Sequence, residues 1–194
     1  MKMKTITVVG VGALGSHVVP LLRNVGAAVR IIDCGQVKQK SPQSQFHSRP
    51  SVRKGKAFAF QQLMNFLWSW KIEAIPHKLE AANVNELLGK SDLILDCLDN
   101  GAARRLVQGY ARANEVPCLH GALAAEGGFG RVVWDEGFVI DDEPGDGAPT
   151  CEDGAHLTFI SVTSSYLAHA AKEFLVNGRK LGFQVMPTGG AVSI

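Results

Sequence analysis

Three glycines near the start of the chain have the spacing of a phosphate-binding loop. Gly10, Gly12 and Gly15 form the pattern G-x-G-x-x-G, between a β-branched run and apolar residues with helical spacing. The first glycine allows a tight turn, the second lets the backbone approach a phosphate, and the third lets the helix pack close to the strand. The helix start adds unpaired N–H groups and a positive dipole end, which favour an anion. The pattern predicts a nucleotide site and leaves open whether the guest is a dinucleotide or ATP.

Acidic and amide side chains occur at two further places where a ligand is expected. Asp33 ends the second apolar run, about twenty residues after the glycines, where a carboxylate can accept hydrogen bonds from ribose hydroxyls. Asp99 and Asn100 follow the apolar run 92–97, which has the composition of a fully buried parallel strand. Residues just past the carboxyl end of such a strand line the crevice in which open α/β sheets bind ligands.

Strands and helices alternate along the first two thirds of the chain. Apolar runs predict strands before the glycines, before Asp33 and at 74–75, 92–97 and 117–120, with helices after the glycines, from about residue 53, at 83–88 and at 102–113. This alternation is typical of an α/β fold with a Rossmann-like, doubly wound, mostly parallel sheet.

The last third of the chain has a different pattern. Residues 128–134 and 137–140 are predicted to be two extended strands, and a final long helix is predicted from about residue 156 to 176. We predict one domain over residues 1–194, with a Rossmann-like core at 1–125 and an antiparallel extension with the long helix at 126–194.

The overall composition favours a globular α/β protein without a strongly charged partner. The chain has 194 residues, 46% of them hydrophobic, and a formal net charge of +2. A nearly neutral balance gives no reason to expect nucleic acid or a membrane surface as a partner. No apolar run is long enough for a signal peptide or a membrane span.

The cysteines and histidines form no recognisable metal-binding pattern. The four cysteines include no C-x-x-C pair, so we expect reduced thiols in a cytoplasmic protein, with Cys34 and Cys97 as buried packing residues. Among six histidines, His120 at a strand end is expected to face the crevice, and the others are expected at the surface or at caps. The aromatic residues of the helix after residue 53, among them Phe58, Phe66, Trp68 and Trp70, are expected in core or interface packing.

Several motifs together resemble one family over nearly the whole chain. The chain is similar to the ThiF/MoeB/HesA-type adenylyltransferases of the ubiquitin-activating superfamily. The most specific piece is a strand followed by Asp-Cys-x-Asp-Asn-x-x-x-Arg, which dinucleotide dehydrogenases do not normally carry. The matching residues are Val9 to Ser16, Ile32, Asp33, Val37, Gln45, Val52, Lys56, Ala57, Asp96 to Asn100, Arg104 and the run Pro149, Thr150, Cys151.

The resemblance implies a reaction with ATP and Mg²⁺. The C-terminal carboxylate of a small ubiquitin-like or sulfur-carrier protein, ending in glycine, would attack the α-phosphate of ATP and release pyrophosphate. A homodimer or heterodimer is also implied. The implied site comprises the glycine loop with Ala13, Asp33 at the ribose, Lys56 at the phosphates, Asp99 at Mg²⁺, Gln45, Leu98, Asn100 and Arg104 around the nucleotide, and Cys151 as a nucleophile that some members link to the carrier.

The chain departs from the family pattern between Asp33 and Gln45. The second acid of Asp-x-Asp is Gly35, the asparagine is Ser41, and the phosphate-binding arginine is Ser44. Loss of a cation from a triphosphate site reduces catalysis unless another group replaces it. Two other interpretations therefore stand beside the enzyme: a catalytically inactive homologue that acts as a binding or partner subunit, and a nicotinamide-dependent oxidoreductase.

Overall fold

The computed structural model describes residues 3–124, 127–140 and 154–194. Its strands are β1 (Thr5–Val9), β2 (Ala28–Ile32), β3 (Glu73–Ile75), β4 (Leu93–Asp96), β5 (Cys118–Leu123), β6 (Gly130–Trp134), β7 (Phe183–Val185) and β8 (Ala191–Ser193). They form one sheet of order β3-β2-β1-β4-β5-β6-β7-β8. The first five strands pair in parallel and the last three are antiparallel additions. The predicted Rossmann-like sheet with an antiparallel extension is confirmed.

Helices cover both faces of this sheet. They are α1 (Ala13–Leu21), α2 (Ser41–Ser44), α3 (Lys56–Trp68), α4 (Val84–Leu88), α5 (Gly101–Ala113) and α6 (Leu157–Asn177), with short 3-10 turns at Arg49–Ser51 and Asp135–Gly137. Helices α1, α3 and α6 pack on one face, and α4 and α5 pack on the other. No helix among the described residues combines the length and apolar character needed to cross a bilayer.

The chain winds outward from β1 in both directions, which brings two distant loops together. Strand β1 pairs with β2 on one side and with β4 on the other. The alternating side chains of β4 are buried on both faces, with Leu93 and Leu95 in one core and Ile94 in the other. The loops that follow β1 and β4 therefore leave the sheet side by side, at the topological switch point where doubly wound sheets bind ligands.

Two details of the last third differ from the sequence prediction. The strand predicted at 137–140 is wrong, because β6 already pairs with β5 on one edge and β7 on the other. Residues Asp135–Gly137 instead form the 3-10 turn, and the ring of Phe138 stacks on His120 at a centroid distance of 4.1 Å. The strands β7 and β8, three residues each, follow α6 and were too short to predict.

The aromatic residues of α3 are divided between core and surface. Trp70, just after the helix, packs against the core that α3 shares with α1. Phe58 and Phe66 are exposed to 50% and 83%, so they lie outside the core, and the alternative of interface packing stays a prediction for these two side chains.

Candidate nucleotide site

The glycine loop has the tight geometry that its spacing predicts. Gly10 has a φ angle of +90°, a conformation that side chains other than glycine rarely adopt. A Cβ atom built on Gly10 would lie 3.0 Å from the carbonyl oxygen of Cys97, and one built on Gly15 would lie 1.8 Å from the carbonyl oxygen of Gly10. Two of the three glycines are therefore required by close backbone contact, as predicted.

The remaining glycine of the loop, Gly12, faces open space and the ammonium group of Lys56. Gly12 is the N-cap of α1 and provides no side-chain cap for the first N–H groups of that helix. A Cβ atom built on Gly12 would meet only the Nζ of Lys56, at 4.0 Å. The exposed helix start and the neighbouring ammonium group together suit an anion such as a phosphate.

Lys56 reaches the glycine loop by passing over Gly35. Its backbone N–H donates to the carbonyl of Gly35 at 2.8 Å, at the start of α3. A Cβ atom on Gly35 would lie 3.6 Å from Cδ and 3.7 Å from Cε of Lys56, which are ordinary contact distances, so the lysine stem passes directly over Gly35. Within the described ranges, the Lys56 ammonium has no hydrogen bond or ion pair, and its charge is available to a ligand.

Asp33 connects the end of β2 to the glycine loop. Its Oδ2 accepts a hydrogen bond from the N–H of Val11 at 2.8 Å, and its Oδ1 accepts one from the N–H of Gly35 at 2.7 Å. A carboxylate oxygen has two lone pairs, so each oxygen retains capacity for a further donor such as a ribose hydroxyl. Asp33 is half-buried at the mouth of the crevice, in agreement with the expected location.

The segment 41–47 is attached to α1 by side-chain hydrogen bonds. The N–H of Phe46 donates to the Oγ of Ser16 at 2.8 Å, and the Nε2 of His17 lies 3.1 Å from the carbonyl oxygen of Ser44. Ser44, at the family position for an arginine, is fully buried in α2. The side-chain oxygen of Gln45 is buried without a hydrogen-bond partner in the described part of the chain.

A buried histidine beside the glycine loop was missed from the sequence. His47 is 6% exposed, not at the surface or at a cap as expected, and its Nε2 lies 2.9 Å from the carbonyl oxygen of Val11. Burial is the largest effect on the pKa of His47, and it lowers that pKa. The hydrogen bond to Val11 raises the pKa in part, and the positive charge of Lys56 lowers it again. Burial likewise lowers the pKa of His17. No periodicity or spacing marks either residue, because both contacts are made across the fold.

Acidification should destabilise the fold through these two histidines. Their folded pKa values lie below the ordinary 6.5, so the unfolded chain binds protons that the folded chain does not. Their contribution to the free energy of unfolding is full above pH 6.5 and is lost as pH falls from there through the folded values. Urea unfolding at several pH values above the carboxylate range should show this loss. The double variant His17→Gln, His47→Gln should show a clearly flatter profile; an unchanged profile would contradict the assignment.

The loop after β4 carries the second group of predicted site residues. Asp99 is exposed, and its carboxylate makes no hydrogen bond or ion pair to any described residue. The Oδ1 of Asn100 accepts the N–H of Ala103 at 2.8 Å and caps α5, while the N–H of Leu98 donates to the Oδ1 of Asp96 at 3.0 Å. Asp99 is thus held by a structured turn at the edge of the crevice.

The buried guanidinium of Arg104 holds the turn after β4 in place. Its Nη1 lies 2.9 Å from the Oδ2 of Asp96, and its Nη2 donates to the carbonyl oxygens of Leu98 and Gly121. The guanidinium is buried, and all of its described hydrogen bonds are to other groups of the protein. The resemblance implies a place around the nucleotide for Arg104, whereas its described contacts support the turn that carries Asp99.

His120 lies in the same buried network and does not face the crevice as expected. Its Nδ1 lies 2.7 Å from the Oδ2 of Asp96, and its Nε2 lies 3.1 Å from the Oδ1 of Asp135. Burial alone would raise the pKa of Asp135, but hydrogen bonds from Arg112, Gln108 and His120 hold that pKa below its usual value. The network is a structural support beneath the loop after β4.

The remaining sequence predictions concern the cysteines and the acidic loop. Cys151 and the acidic residues 141–146 lie outside the described residues. Cys97 is buried as expected, and burial raises the pKa of its thiol, whereas Cys34 is exposed and its predicted burial is wrong.

The described ranges contain no cluster of three or more His, Cys, Asp or Glu side chains that could hold a metal ion. Asp99 would therefore suit Mg²⁺ only when phosphates complete the coordination of the ion.

Comparison with known proteins identifies relatives by sequence and by fold. The model of the ThiF family matches residues 1–183. The chain is 27% identical over 184 residues to the molybdopterin-synthase adenylyltransferase of Escherichia coli, which covers 90% of this chain and 74% of that protein. It is 30% identical over 123 residues to the SAMP-activating enzyme E1 of Haloferax volcanii, covering 61% of this chain and 45% of that one. Against that enzyme and two other adenylyltransferase relatives, the chain spans between 27% and 46% of the relative's length.

The fold has similar solved structures at low sequence identity. E. coli MccB superposes with a TM-score of 0.79 at 13% identity, covering 98% of this chain and 62% of that chain. Another structure of MccB, with a TM-score of 0.76 at 14% identity, contains ATP. At these identities the likeness shows a shared fold.

Proposed function

Because the chain belongs to the ThiF family, we propose that it is an ATP-dependent adenylyltransferase for the C-terminal carboxylate of a small ubiquitin-like or sulfur-carrier protein. The proposal rests chiefly on one observation: the Lys56 ammonium is unpaired within the described residues and lies beside Gly12, at the start of α1. The relatives named as adenylyltransferases of molybdopterin synthase and of a sulfur carrier protein support the reaction and the substrate class. We also propose a homodimer or a heterodimer that acts in the cytoplasm.

In the proposed reaction, a terminal carboxylate oxygen of the carrier forms a bond to the α-phosphorus of ATP. The bond from that phosphorus to the oxygen bridging to the β-phosphate breaks, and pyrophosphate leaves with the electron pair. The products are an acyl-adenylate and pyrophosphate. Negative charge develops on the phosphate oxygens, where Lys56 and the N-terminal amides of α1 are placed to stabilise it. Asp33 would accept hydrogen bonds from the ribose hydroxyls.

Asp99 is the residue proposed to hold Mg²⁺. When bound, this ion neutralises phosphate charge and orients the leaving pyrophosphate. Asp99 has the exposure and the free carboxylate that such a role requires, and Arg104 fixes the turn that carries it. Leu98, Asn100, Ala13 and Gln45 would line the nucleotide, and Cys151 stays a proposed acceptor for the activated carrier.

Replacing Asp99 by asparagine should remove the magnesium-dependent part of nucleotide binding. The variant keeps the size of the side chain but loses the charge that attracts Mg²⁺. Thermal shift with ATP plus Mg²⁺ and with ATP plus EDTA should differ for the unaltered protein and coincide for Asp99→Asn, since a ligand that binds only the folded state raises Tm. Glu86→Gln, an exposed acid on α4, is the matched control and should behave like the unaltered protein.

The proposed function is tested directly by pyrophosphate exchange. The chain is incubated with Mg·ATP, labelled pyrophosphate and small ubiquitin-like proteins that end in Gly-Gly, and label appearing in ATP supports adenylation. Stabilisation by Mg·ATP without exchange for any such carrier would favour a catalytically inactive partner subunit. Stabilisation by NAD alone would overturn the proposal in favour of an oxidoreductase.

A further inference from the structure

Both backbone groups of Val11 are held by side chains from other parts of the chain. Its N–H donates to the Oδ2 of Asp33 at 2.8 Å, and its carbonyl oxygen lies 2.9 Å from the Nε2 of His47. Val11 separates Gly10 from Gly12, so these two contacts fix the middle of the glycine loop. The backbone alone does not fix it, since Gly12 permits a wide range of conformations.

The contact with His47 determines the direction of the next amide. In a trans peptide, the carbonyl of one residue and the N–H of the following residue point in opposite directions, and the described chain has no cis peptide bond. The Val11 carbonyl points at the buried ring of His47, so the Gly12 N–H points away from it. Among the described residues nothing accepts a hydrogen bond from that N–H, which is therefore available to an anion.

We propose that His47 is a positioning residue, which donates from Nε2 to the Val11 carbonyl and thereby turns the Gly12 amide toward the phosphates of the nucleotide. The inference rests on the proposed function for the identity of that nucleotide, but the orientation of the amide is independent of it. The segment 41–47, which lacks the arginine at Ser44, thus acts on the phosphates through the backbone of the glycine loop.

The surroundings of His47 hold its ring in one orientation. The ring packs edge-on against Phe60, with a centroid distance of 5.4 Å and an interplanar angle of 73°. The neighbouring Phe46 is fixed through its N–H to the Oγ of Ser16. A carbonyl oxygen only accepts, so Nε2 carries the proton and Nδ1 is the unprotonated nitrogen, buried without a partner in the described part of the chain. The neutral ring is the form that fits this position.

The charged groups around His47 come from three elements. They are Lys56 at the start of α3, Asp33 at the end of β2 and His17 on α1. A second proton on His47 would have no acceptor at Nδ1 and would place a positive charge near Lys56. Both effects favour the neutral ring at this position.

The test compares His47→Leu, which removes the donor, with His47→Gln, whose amide can still donate to Val11. Mg·ATP affinity is measured by calorimetry at pH 7.5. We expect Kd to rise about tenfold in His47→Leu, the effect of one lost hydrogen bond in a partly buried site, and to stay within about threefold in His47→Gln.

A control separates this role from a general loss of stability. Trp134→Phe removes a hydrogen bond from Nε1 to the carbonyl of Leu181, 3.0 Å long, far from the glycine loop. It should lower Tm without changing Kd. If His47→Leu binds Mg·ATP as tightly as the unaltered protein, or if Trp134→Phe weakens binding equally, the positioning role is overturned.

A second measurement does not depend on nucleotide binding. The amide resonances of Val11 and Gly12 in ligand-free protein should move in His47→Leu and return toward their original positions in His47→Gln. If the unaltered protein binds no Mg·ATP while these resonances respond as expected, the proposed function fails and the positioning of the loop stands. Unmoved resonances in His47→Leu would overturn the positioning role whatever the protein binds.

Discussion

Replacing Lys56 by methionine should weaken Mg·ATP binding by about one to two orders of magnitude. Its ammonium lies 4.0 Å from the position of a Cβ on Gly12 and makes no ion pair to any described residue. A hydrogen bond to a charged group contributes about 1.5–3 kcal/mol, which corresponds to that range of affinity. Methionine keeps the length and the apolar character of the stem that passes Gly35, so it removes little more than the charge.

The matched control is Lys54→Met, two residues earlier. Lys54 is exposed and its side chain makes no described contact, so the same chemical change should leave the affinity within about twofold. Calorimetry with Mg·ATP measures both variants, and Tm should be nearly unchanged in each. If both variants weakened binding to the same degree, the effect would be one of overall charge and the assignment of Lys56 to the phosphates would fail.

Gly15→Ala should destabilise the fold by more than about 4 kcal/mol, an exceptional cost for one methyl group. The added Cβ would lie 1.8 Å from the carbonyl oxygen of Gly10 and 2.9 Å from its carbonyl carbon. Gly10 cannot move aside easily, because its φ is +90° and its N–H donates to the carbonyl of Ile32 at 2.8 Å. Helix α1 would have to shift away from the sheet, and its packing in the core would be lost.

Gly109→Ala provides the comparison within the same protein. Gly109 lies inside α5, and a Cβ built on it meets nothing within 4 Å. Alanine is the better helix former, so this variant should be stabilised by about 0.5–1 kcal/mol. Urea unfolding followed by circular dichroism gives both free energies of unfolding. A small cost for Gly15→Ala would show that the loop and α1 are less tightly packed than described.

The sequence predicts well those parts of the fold that depend on local pattern. The continuous apolar run of β4 and the glycine spacing at residues 10–15 predict the sheet and the crevice, because both patterns depend on neighbours along the chain. The region after β6 is predicted wrongly, since whether residues 137–140 form a strand depends on a free sheet edge. Both edges of β6 are occupied, a fact that only the assembled sheet reveals.

The residues of the candidate site also differ in how well the sequence predicts them. Asp33 and Asp99 are predicted from the sequence because each follows a predicted strand, and Lys56 is named by the family resemblance. The buried contacts of His47 and His120 are not predicted, because their partners are distant in sequence: Val11 for the first, and Asp96 and Asp135 for the second. A buried polar residue is defined by what surrounds it, and a single sequence does not list those neighbours.

The position of His120 has a consequence for how this sequence can diverge. The ring lies between two carboxylates, Asp96 and Asp135, and those carboxylates also pair with Arg104 and Arg112. Removing Asp96 alone would leave the buried Arg104 guanidinium without its carboxylate partner, which costs more than the ion pair itself contributes. Descendants of this chain are therefore expected to keep these residues together or to replace them together. Among related sequences, substitutions at these positions should therefore occur together, and single substitutions should be rare.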